Sequence, residues 1–188
     1  MKILLIEDMA GFAGPMRQQL EARGHQVTWI IGAESVGAER LKGILASKDA
    51  EPMSDKWDGD SSRLIEVVFG DFELALVDGG LIGPVDRGEP IVKALSQAGI
   101  PTVAISGGGA GNPVLIEAGA IVGMPKELVV VAINEGVLQP EDFAKDEDQE
   151  RLSSRFDCFV RETREKAAAV KKAGGKFDFG FPVLSCAS

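Results

Sequence analysis

The segment KILLIED, residues 2–8, is a continuous apolar run that ends in two adjacent acids. Such a short aliphatic run is typical of a strand buried on both faces, as in a parallel sheet covered by helices. Ligands of parallel sheets bind at the carboxyl ends of the strands. Glu7 and Asp8 therefore stand where a functional site is expected.

Apolar runs alternate with segments of helical spacing through the first three-quarters of the chain. The predicted strands are Lys2–Ile6, Gln26–Ile31, Leu74–Val77, Pro101–Ile105 and Ala120–Val122. The predicted helices are Phe12–Arg23, Ala33–Ala46, Glu89–Ala98, Val114–Ala118 and Glu127–Leu138. This alternation predicts an α/β fold, a three-layer sandwich in which helices cover both faces of a five-stranded parallel sheet.

Polar residues follow three of the predicted strands: Glu7 and Asp8 the first, Asp78 the third and Ser106 the fourth. Crowded carboxylates repel one another unless a cation is present, and Mg²⁺ prefers oxygen ligands. A metal there can bridge Asp78 to an incoming phosphoryl group and neutralise its charge. The Ser106 hydroxyl and the Lys126 ammonium are candidates for holding the other phosphoryl oxygens.

This ordered set resembles the receiver domain of two-component response regulators over Lys2 to Leu138. KILLIED is similar to the family's first strand with its paired acids. LALVDGGL resembles the third strand, which the phosphoacceptor Asp78 would close, and IPTVAIS resembles the fourth, which ends in a hydroxyl residue, here Ser106. Lys126 follows Gly119 by seven residues, which is the family's interval.

The resemblance implies roles for individual residues. Asp78 would accept a phosphoryl group from a histidine kinase, a phosphotransfer protein or a small phosphodonor. Ser106 and Lys126 would contact that group. The implied Mg²⁺ ligands are Glu7, Asp8, Asp78 and the main-chain carbonyl of Gly80. The flavodoxin-like topology of the family is implied as well.

Three features depart from the family pattern. Pro125 precedes Lys126 where the family has lysine before proline, and Gly123 stands where an aromatic switch residue is common. The segment GGLIGPVDRG after Asp78 is two residues longer than usual. These departures leave open a pseudo-receiver that binds a partner without being phosphorylated. A small Mg²⁺-dependent phosphohydrolase with Asp78 as nucleophile is a further alternative.

The predicted domain organisation is a receiver-like domain, residues 1–139, and a C-terminal extension, residues 140–188. A polar insertion occupies about residues 47–66. The extension contains a predicted charged helix, Leu152–Ala173, and an alternating strand-like tail, Phe177–Val183. Because a free apolar strand promotes association, the tail is expected to pack on the core or, in a homodimer, on the second subunit.

Two weaker features carry alternative interpretations. Trp57, in the insertion, is interpreted as a lid residue or as an anchor for a partner. The loop Gly107–Asn112 is interpreted as a glycine-rich loop beside the site that can move, or as a phosphate cradle, although it lacks the lysine of a P-loop.

Composition limits the class of partner. The net charge is −9 and the pI about 4.7, with no basic block, so DNA binding is not expected. No apolar run reaches the length of a membrane span, and the start of the chain does not resemble a signal peptide. The two cysteines lack metal-ligand spacing, which favours reduced thiols in the cytoplasm. A signalling protein that acts through a downstream protein partner fits this composition.

Overall fold

The computed structural model describes residues 1–46, 59–107, 111–144 and 149–180. Its strands are β1 Lys2–Ile6, β2 Gln26–Val36, β3 Arg40–Leu45, β4 Leu64–Val68, β5 Leu74–Val77, β6 Thr102–Ile105 and β7 Val122–Met124. Its α-helices are α1 Ala10–Ala22, α2 Glu89–Gln97, α3 Gly111–Glu117, α4 Val129–Asn134 and α5 Gln149–Lys172. Short 3₁₀ turns precede β4, β5 and α4.

The strands form one seven-stranded sheet in the order β4-β3-β2-β1-β5-β6-β7. Neighbouring strands from β2 to β7 in this order are parallel. Numbered along the chain, these five parallel strands have the order 2-1-3-4-5, which is the flavodoxin-like order. The predicted flavodoxin-like, receiver-like α/β fold is therefore confirmed. Two antiparallel strands, β3 and β4, extend the sheet beside β2.

Both faces of the sheet are covered, because the strands are apolar on both sides. In β1, Ile3 and Leu5 face one core cluster and Leu4 and Ile6 face the other, as the period-two geometry of a strand requires. Helices α1, α4 and α5 cover the first face, and α2 and α3 cover the second. This arrangement gives the three layers.

The segment Ala33–Ala46 does not form the predicted helix. It forms the end of β2, a turn and β3, and the N–H of Gly37 closes the turn on the carbonyl of Arg40 at 2.8 Å. Glycine in a helix costs about 1 kcal/mol relative to alanine, and both Gly37 and Gly43 fall in this segment. The apolar spacing indicates a helix, but antiparallel pairing with β2 and β4 selects the strand.

The connection that precedes β4 contains part of the predicted insertion. Residues 59–66 include a 3₁₀ turn, Ser61–Arg63, and the first three residues of β4, so residues 64–66 belong to the sheet. Residues 47–58, with Trp57, lie outside the described residues. The extent of the insertion remains a prediction.

The loop Gly79–Gly88, which follows β5, folds back on the sheet as a small hairpin. Gly80 and Arg87 form an isolated antiparallel bridge within it, and Val85 forms a second bridge with Ala33 at the end of β2. The longer loop noted in the sequence therefore extends across the end of β2 and has a fixed backbone.

The C-terminal extension shares the core of the sheet. In α5, Leu152, Phe156 and Phe159 are buried in the first core cluster, and Phe179, beyond the helix, packs partly against it. The predicted helix is confirmed, beginning three residues earlier than expected. Residues 176–180 are not in a strand, and the remainder of the predicted strand-like tail lies outside the described residues. The domain boundary near residue 139 stays a prediction.

Within the described ranges, every helix is too short or too polar to cross a bilayer.

We expect Phe156→Ala to destabilise the whole protein by about 3–5 kcal/mol, because it removes a buried ring that packs edge-on against Phe143. Urea unfolding followed by circular dichroism measures this. The matched control, Lys166→Ala on the exposed side of the same helix, should change stability by less than about 0.5 kcal/mol. An unchanged unfolding midpoint for Phe156→Ala would show that α5 does not contribute to the core.

Candidate functional site

Three carboxylates meet at the carboxyl edge of the sheet. Glu7 and Asp8 follow β1, and Asp78 follows the neighbouring strand β5, where its N–H donates to the carbonyl of Ile6 at 2.9 Å. One oxygen from each carboxylate lies within 4.8 Å of the others. Glu7 is fully buried, Asp78 is 4% exposed and Asp8 is half-buried. Parallel pairing in register therefore brings together acids that are 70 residues apart in sequence.

Lys126 joins two of these carboxylates. It follows β7 and Pro125, and its Nζ donates to Glu7 Oε1 at 3.0 Å and to Asp78 Oδ2 at 2.9 Å. The ammonium also lies 5.1 Å from the ring centroid of Phe12, in cation–π range. The side chain is 9% exposed. Lys126 is thus directed into the site although proline precedes it.

Hydrogen bonds from the main chain hold both buried carboxylates in place. The Glu7 carboxylate accepts from the N–H of Met9 at 3.0 Å, and Asp78 Oδ1 accepts from the N–H of Gly79 at 2.7 Å. The indole N–H of Trp29 donates to the main-chain carbonyl of Glu7 at 2.8 Å. The Asp78 carboxylate is therefore fixed on one oxygen by Gly79 and on the other by Lys126.

The charges of this cluster do not balance. Burial, with the charge of Asp78 added, raises the pKa of Glu7 to about 8, although Lys126 opposes the shift. Burial likewise raises the pKa of Asp8, assisted by Asp78 and opposed by Lys126. Burial alone lowers the pKa of Lys126, but the adjacent Glu7 and Asp78 raise it above its ordinary value. Three carboxylates stand beside one ammonium, so burial and the excess of negative charge together favour an added proton or cation.

The donor set fits a divalent metal ion. Carboxylate oxygens are the ligands that hard divalent cations prefer, and a cation would relieve the excess negative charge. Asp8 is the most exposed of the three acids, and Glu7 has both oxygens within hydrogen-bond distance of Lys126. The hairpin of the loop that follows Asp78 pairs through Gly79 and Leu81, so it uses neither the N–H nor the carbonyl of Gly80.

Ser106 follows β6, is buried, and lines a cleft together with Gly79 and Gly80, which follow Asp78. Its main-chain N–H donates to Asn112 Oδ1 at 2.9 Å. A side chain on Gly123 would collide with Asn112, since a Cβ there would lie 2.9 Å from the Cβ of Asn112. Asn112 thus packs against Gly123 and is bonded to the backbone of Ser106.

Several contact residues of the site escaped the sequence analysis. Met9, Phe12, Trp29 and Asn112 each touch one of the predicted site residues. The position of Phe12 one helical turn into α1 was a usable signal, because α1 starts directly after the acids. Of the loop Gly107–Asn112, residues 108–110 lie outside the described residues, so both interpretations of the loop stay predictions.

No protein-family model matches the chain, and no curated protein matches it in sequence. Structure comparison finds similarity to the non-phosphorylated HemR receiver domain from Leptospira biflexa, with 18% identity, a TM-score of 0.46 and coverage of 78% of this chain and 96% of that one. The response regulator ChrA of a heme-sensing two-component system has 14% identity, a TM-score of 0.44 and coverage of 92% and 75%. The Mn(2+)-bound form of response regulator Rcp1 has 13% identity, a TM-score of 0.43 and coverage of 70% and 90%. Because these TM-scores are low, the fold assignment rests on the strand order of the sheet and not on these likenesses.

The raised pKa of Glu7 predicts a pH-dependent stability of the metal-free protein. The folded state holds the Glu7 proton more tightly than the unfolded chain, in which the pKa is near 4.5. The stabilisation is therefore complete below about pH 4.5 and is lost as the pH rises through about 8. Between about pH 6 and about pH 8, the unfolding free energy should fall by at most about 1.4 kcal/mol per pH unit.

Glu7→Gln provides the control, because it removes this titration and leaves the other titrating groups in place. Urea unfolding in EDTA at several pH values measures both proteins. As the pH rises, the unfolding free energy of the wild type should fall relative to that of Glu7→Gln. Parallel pH profiles would mean that Glu7 is already ionised in the folded protein at about pH 6.

Proposed function

We propose that this chain is a response-regulator-like signalling protein that accepts a phosphoryl group on Asp78. The observation that carries the proposal is the position of Lys126, whose Nζ contacts Asp78 Oδ2 at 2.9 Å and Glu7 Oε1 at 3.0 Å. The Asp78 carboxylate can act as a nucleophile, and the buried ammonium beside it can stabilise the negative charge of the phosphorylated form.

The reaction assigned to Asp78 is a phosphoryl transfer. A carboxylate oxygen forms a bond to phosphorus while the bond from phosphorus to the donor's leaving atom breaks, and the leaving group keeps the electron pair. Lys126 stabilises charge on the phosphoryl oxygens, since its ammonium already touches Asp78. Ser106, which lines a cleft together with Gly79 and Gly80, offers a hydroxyl donor for a further oxygen.

Mg²⁺ is the proposed cofactor. Asp8 and Asp78 would hold it directly, with Glu7 and the main-chain carbonyl of Gly80 completing the set of protein ligands. When bound, Mg²⁺ supplies positive charge for the crowded carboxylates and the phosphoryl oxygens. The support is the cluster itself, in which three carboxylate oxygens lie within 4.8 Å of one another.

The proposed phosphodonor is a histidine kinase, a phosphotransfer protein or a small acyl phosphate in the cytoplasm, and the proposed output is a protein contact. A net charge of −9 is unsuited to binding DNA. The pseudo-receiver and the phosphohydrolase become the alternative outcomes of the phosphorylation experiment.

With acetyl phosphate and Mg²⁺, the intact mass of the wild type should increase by one phosphoryl group. The increase should be lost in EDTA and in Asp78→Asn, and it should persist in Asp71→Asn, which removes an exposed carboxylate outside the site. Intact-mass spectrometry measures the uptake. No increase in a protein that still binds Mg²⁺ would favour the pseudo-receiver, whereas continuous release of phosphate from a phosphoester would favour the hydrolase.

Mg²⁺ should raise the melting temperature, because a ligand that binds only the folded state stabilises it. Trp29 fluorescence should report the same binding, since its indole N–H is bonded to the carbonyl of Glu7. Asp8→Asn should weaken Mg²⁺ binding at least about tenfold while stabilising the metal-free protein, because it removes a repelling charge.

Trp29→Phe is the control for the fluorescence signal. It should lose the signal and keep the shift in melting temperature. If Mg²⁺ binds Asp8→Asn as tightly as the wild type, Asp8 is not a ligand, whatever the outcome of phosphorylation.

A further inference from the structure

We propose that the cleft beside Asp78 binds the incoming phosphodonor and that Arg87 holds an anionic oxygen of that donor. The cleft has a volume of about 360 Å³. Its lining residues are Gly79, Gly80, Asp86, Arg87, Glu89, Ser106, Val114 and Leu115. This inference rests on the proposed function, because it names the ligand that Asp78 would react with.

The backbone of the loop after β5 fixes Arg87 at the site. Arg87 lies opposite Gly80 in the antiparallel bridge, and Gly80 is two residues beyond Asp78. The next residue, Gly88, packs directly on the main-chain carbonyl of Asp78, where a Cβ would collide with it. The N–H of Gly88 also donates to the carbonyl of Gly79 at 3.1 Å. Arg87 is thus carried on a hairpin that is anchored on the residue next to the nucleophile.

Arg87 is the cation of the cleft. Its side chain is exposed, and the other charged residues of the lining are the acids Asp86 and Glu89. Lys126 lies deeper and is already engaged by Glu7 and Asp78. An anionic donor that approaches from solvent therefore meets Arg87 before it meets Lys126. Guanidinium groups suit this task because their planar fork matches paired phosphoryl or carboxyl oxygens.

Part of the lining of the cleft is apolar. Val114 is 45% exposed at the start of α3, next to the buried Leu115. A lining that holds both apolar side chains and an arginine suits a short-chain acyl phosphate, in which a small hydrocarbon group adjoins a charged phosphoryl group. We therefore assign the cleft to donors of this class.

The reaction of such a donor balances without a redox step. One oxygen of Asp78 forms a bond to phosphorus, and the bond between phosphorus and the acyl oxygen breaks. The departing carboxylate keeps the electron pair of that bond and leaves as an anion. No proton transfer is needed, and the role of Arg87 is to bind and orient the donor.

Arg87→Gln in the Asp78→Asn background tests the inference without depending on phosphorylation. Isothermal titration calorimetry with acetyl phosphate, in the presence of Mg²⁺, should show about tenfold weaker binding than in Asp78→Asn alone. Glu89→Gln should change the affinity in the opposite direction, since it removes a repelling charge from the same cleft. Arg23→Gln, an exposed arginine whose side chain bonds to Gln19 and Asn134, is the matched control and should have no effect.

Kinetics of the Asp78-containing protein give the second measurement. Arg87→Gln should raise the KM for acetyl phosphate about tenfold with little change in kcat, as expected of a binding residue. Phosphoramidate has no acyl group. If Arg87 contacts the phosphoryl oxygens, Arg87→Gln should raise the KM for phosphoramidate by a similar factor. If it contacts the acyl part, that KM should not change.

Equal affinity of Arg87→Gln and its parent for acetyl phosphate would overturn the inference, and so would a failure of the parent to bind. Neither result bears on the proposed function, which is judged by phosphate uptake on Asp78 in the otherwise wild-type protein. Conversely, if binding depends on Arg87 but the protein never takes up phosphate, the role of the cleft is supported and the proposed phosphorylation of Asp78 is contradicted.

Discussion

The contact of one ammonium with two carboxylates, Lys126 with Glu7 and Asp78, is the interaction on which the site depends. It joins the ends of β1 and β5 to the segment after β7, across the width of the parallel sheet. Two buried carboxylates and one ammonium still leave one formal negative charge, and Asp8 adds a second. Buried charge is costly unless it is paired. A cation would relieve this cost, and burial together with the charge of Asp78 raises the pKa of Glu7, so that it holds a proton more tightly.

On the second face of the sheet, strands and a loop cover the core where a helix was predicted. This difference shapes the entrance to the site. Where the sequence predicted a helix after β2, β2 instead runs on into β3, and β4 adds to that edge. The loop after β5 supplies Leu81 to the core on this face, together with Val67 and Phe69 from the region of β4. That loop is held by its bridges to itself and to β2. The same backbone pairing that covers the core thus also places Arg87 beside Asp78.

Sequence reasoning succeeded where burial alone determines the structure. Apolar runs such as Leu74–Val77 have no alternative to a central strand, and the polar residue that ends such a strand must emerge at the sheet edge. It failed for Ala33–Ala46, because the three-residue spacing of Leu41 and Ile44 indicates one face of a helix, whereas both residues are buried in β3. Only pairing with partners distant in sequence decides between the two structures. It also missed Trp29 and Asn112, whose roles arise from tertiary contacts that no local pattern encodes.

The contacts around Ser106 link the end of β6 to the C-terminal helix. Gly123 has no ring to rotate, and the space beside it is filled by Asn112, which accepts a hydrogen bond from the main chain of Ser106. A second cleft, of about 180 Å³, adjoins these residues, and α5 contributes to its wall through Asp157, Val160 and Arg164. Because α5 is anchored in the core by Phe156 and by the ion pair of Arg155 with Asp142 at 2.6 Å, it does not simply cover the sheet edge. The C-terminal helix therefore shares a cleft with Ser106, Asn112 and Gly123, so a change in the packing of α5 would alter the surroundings of Ser106.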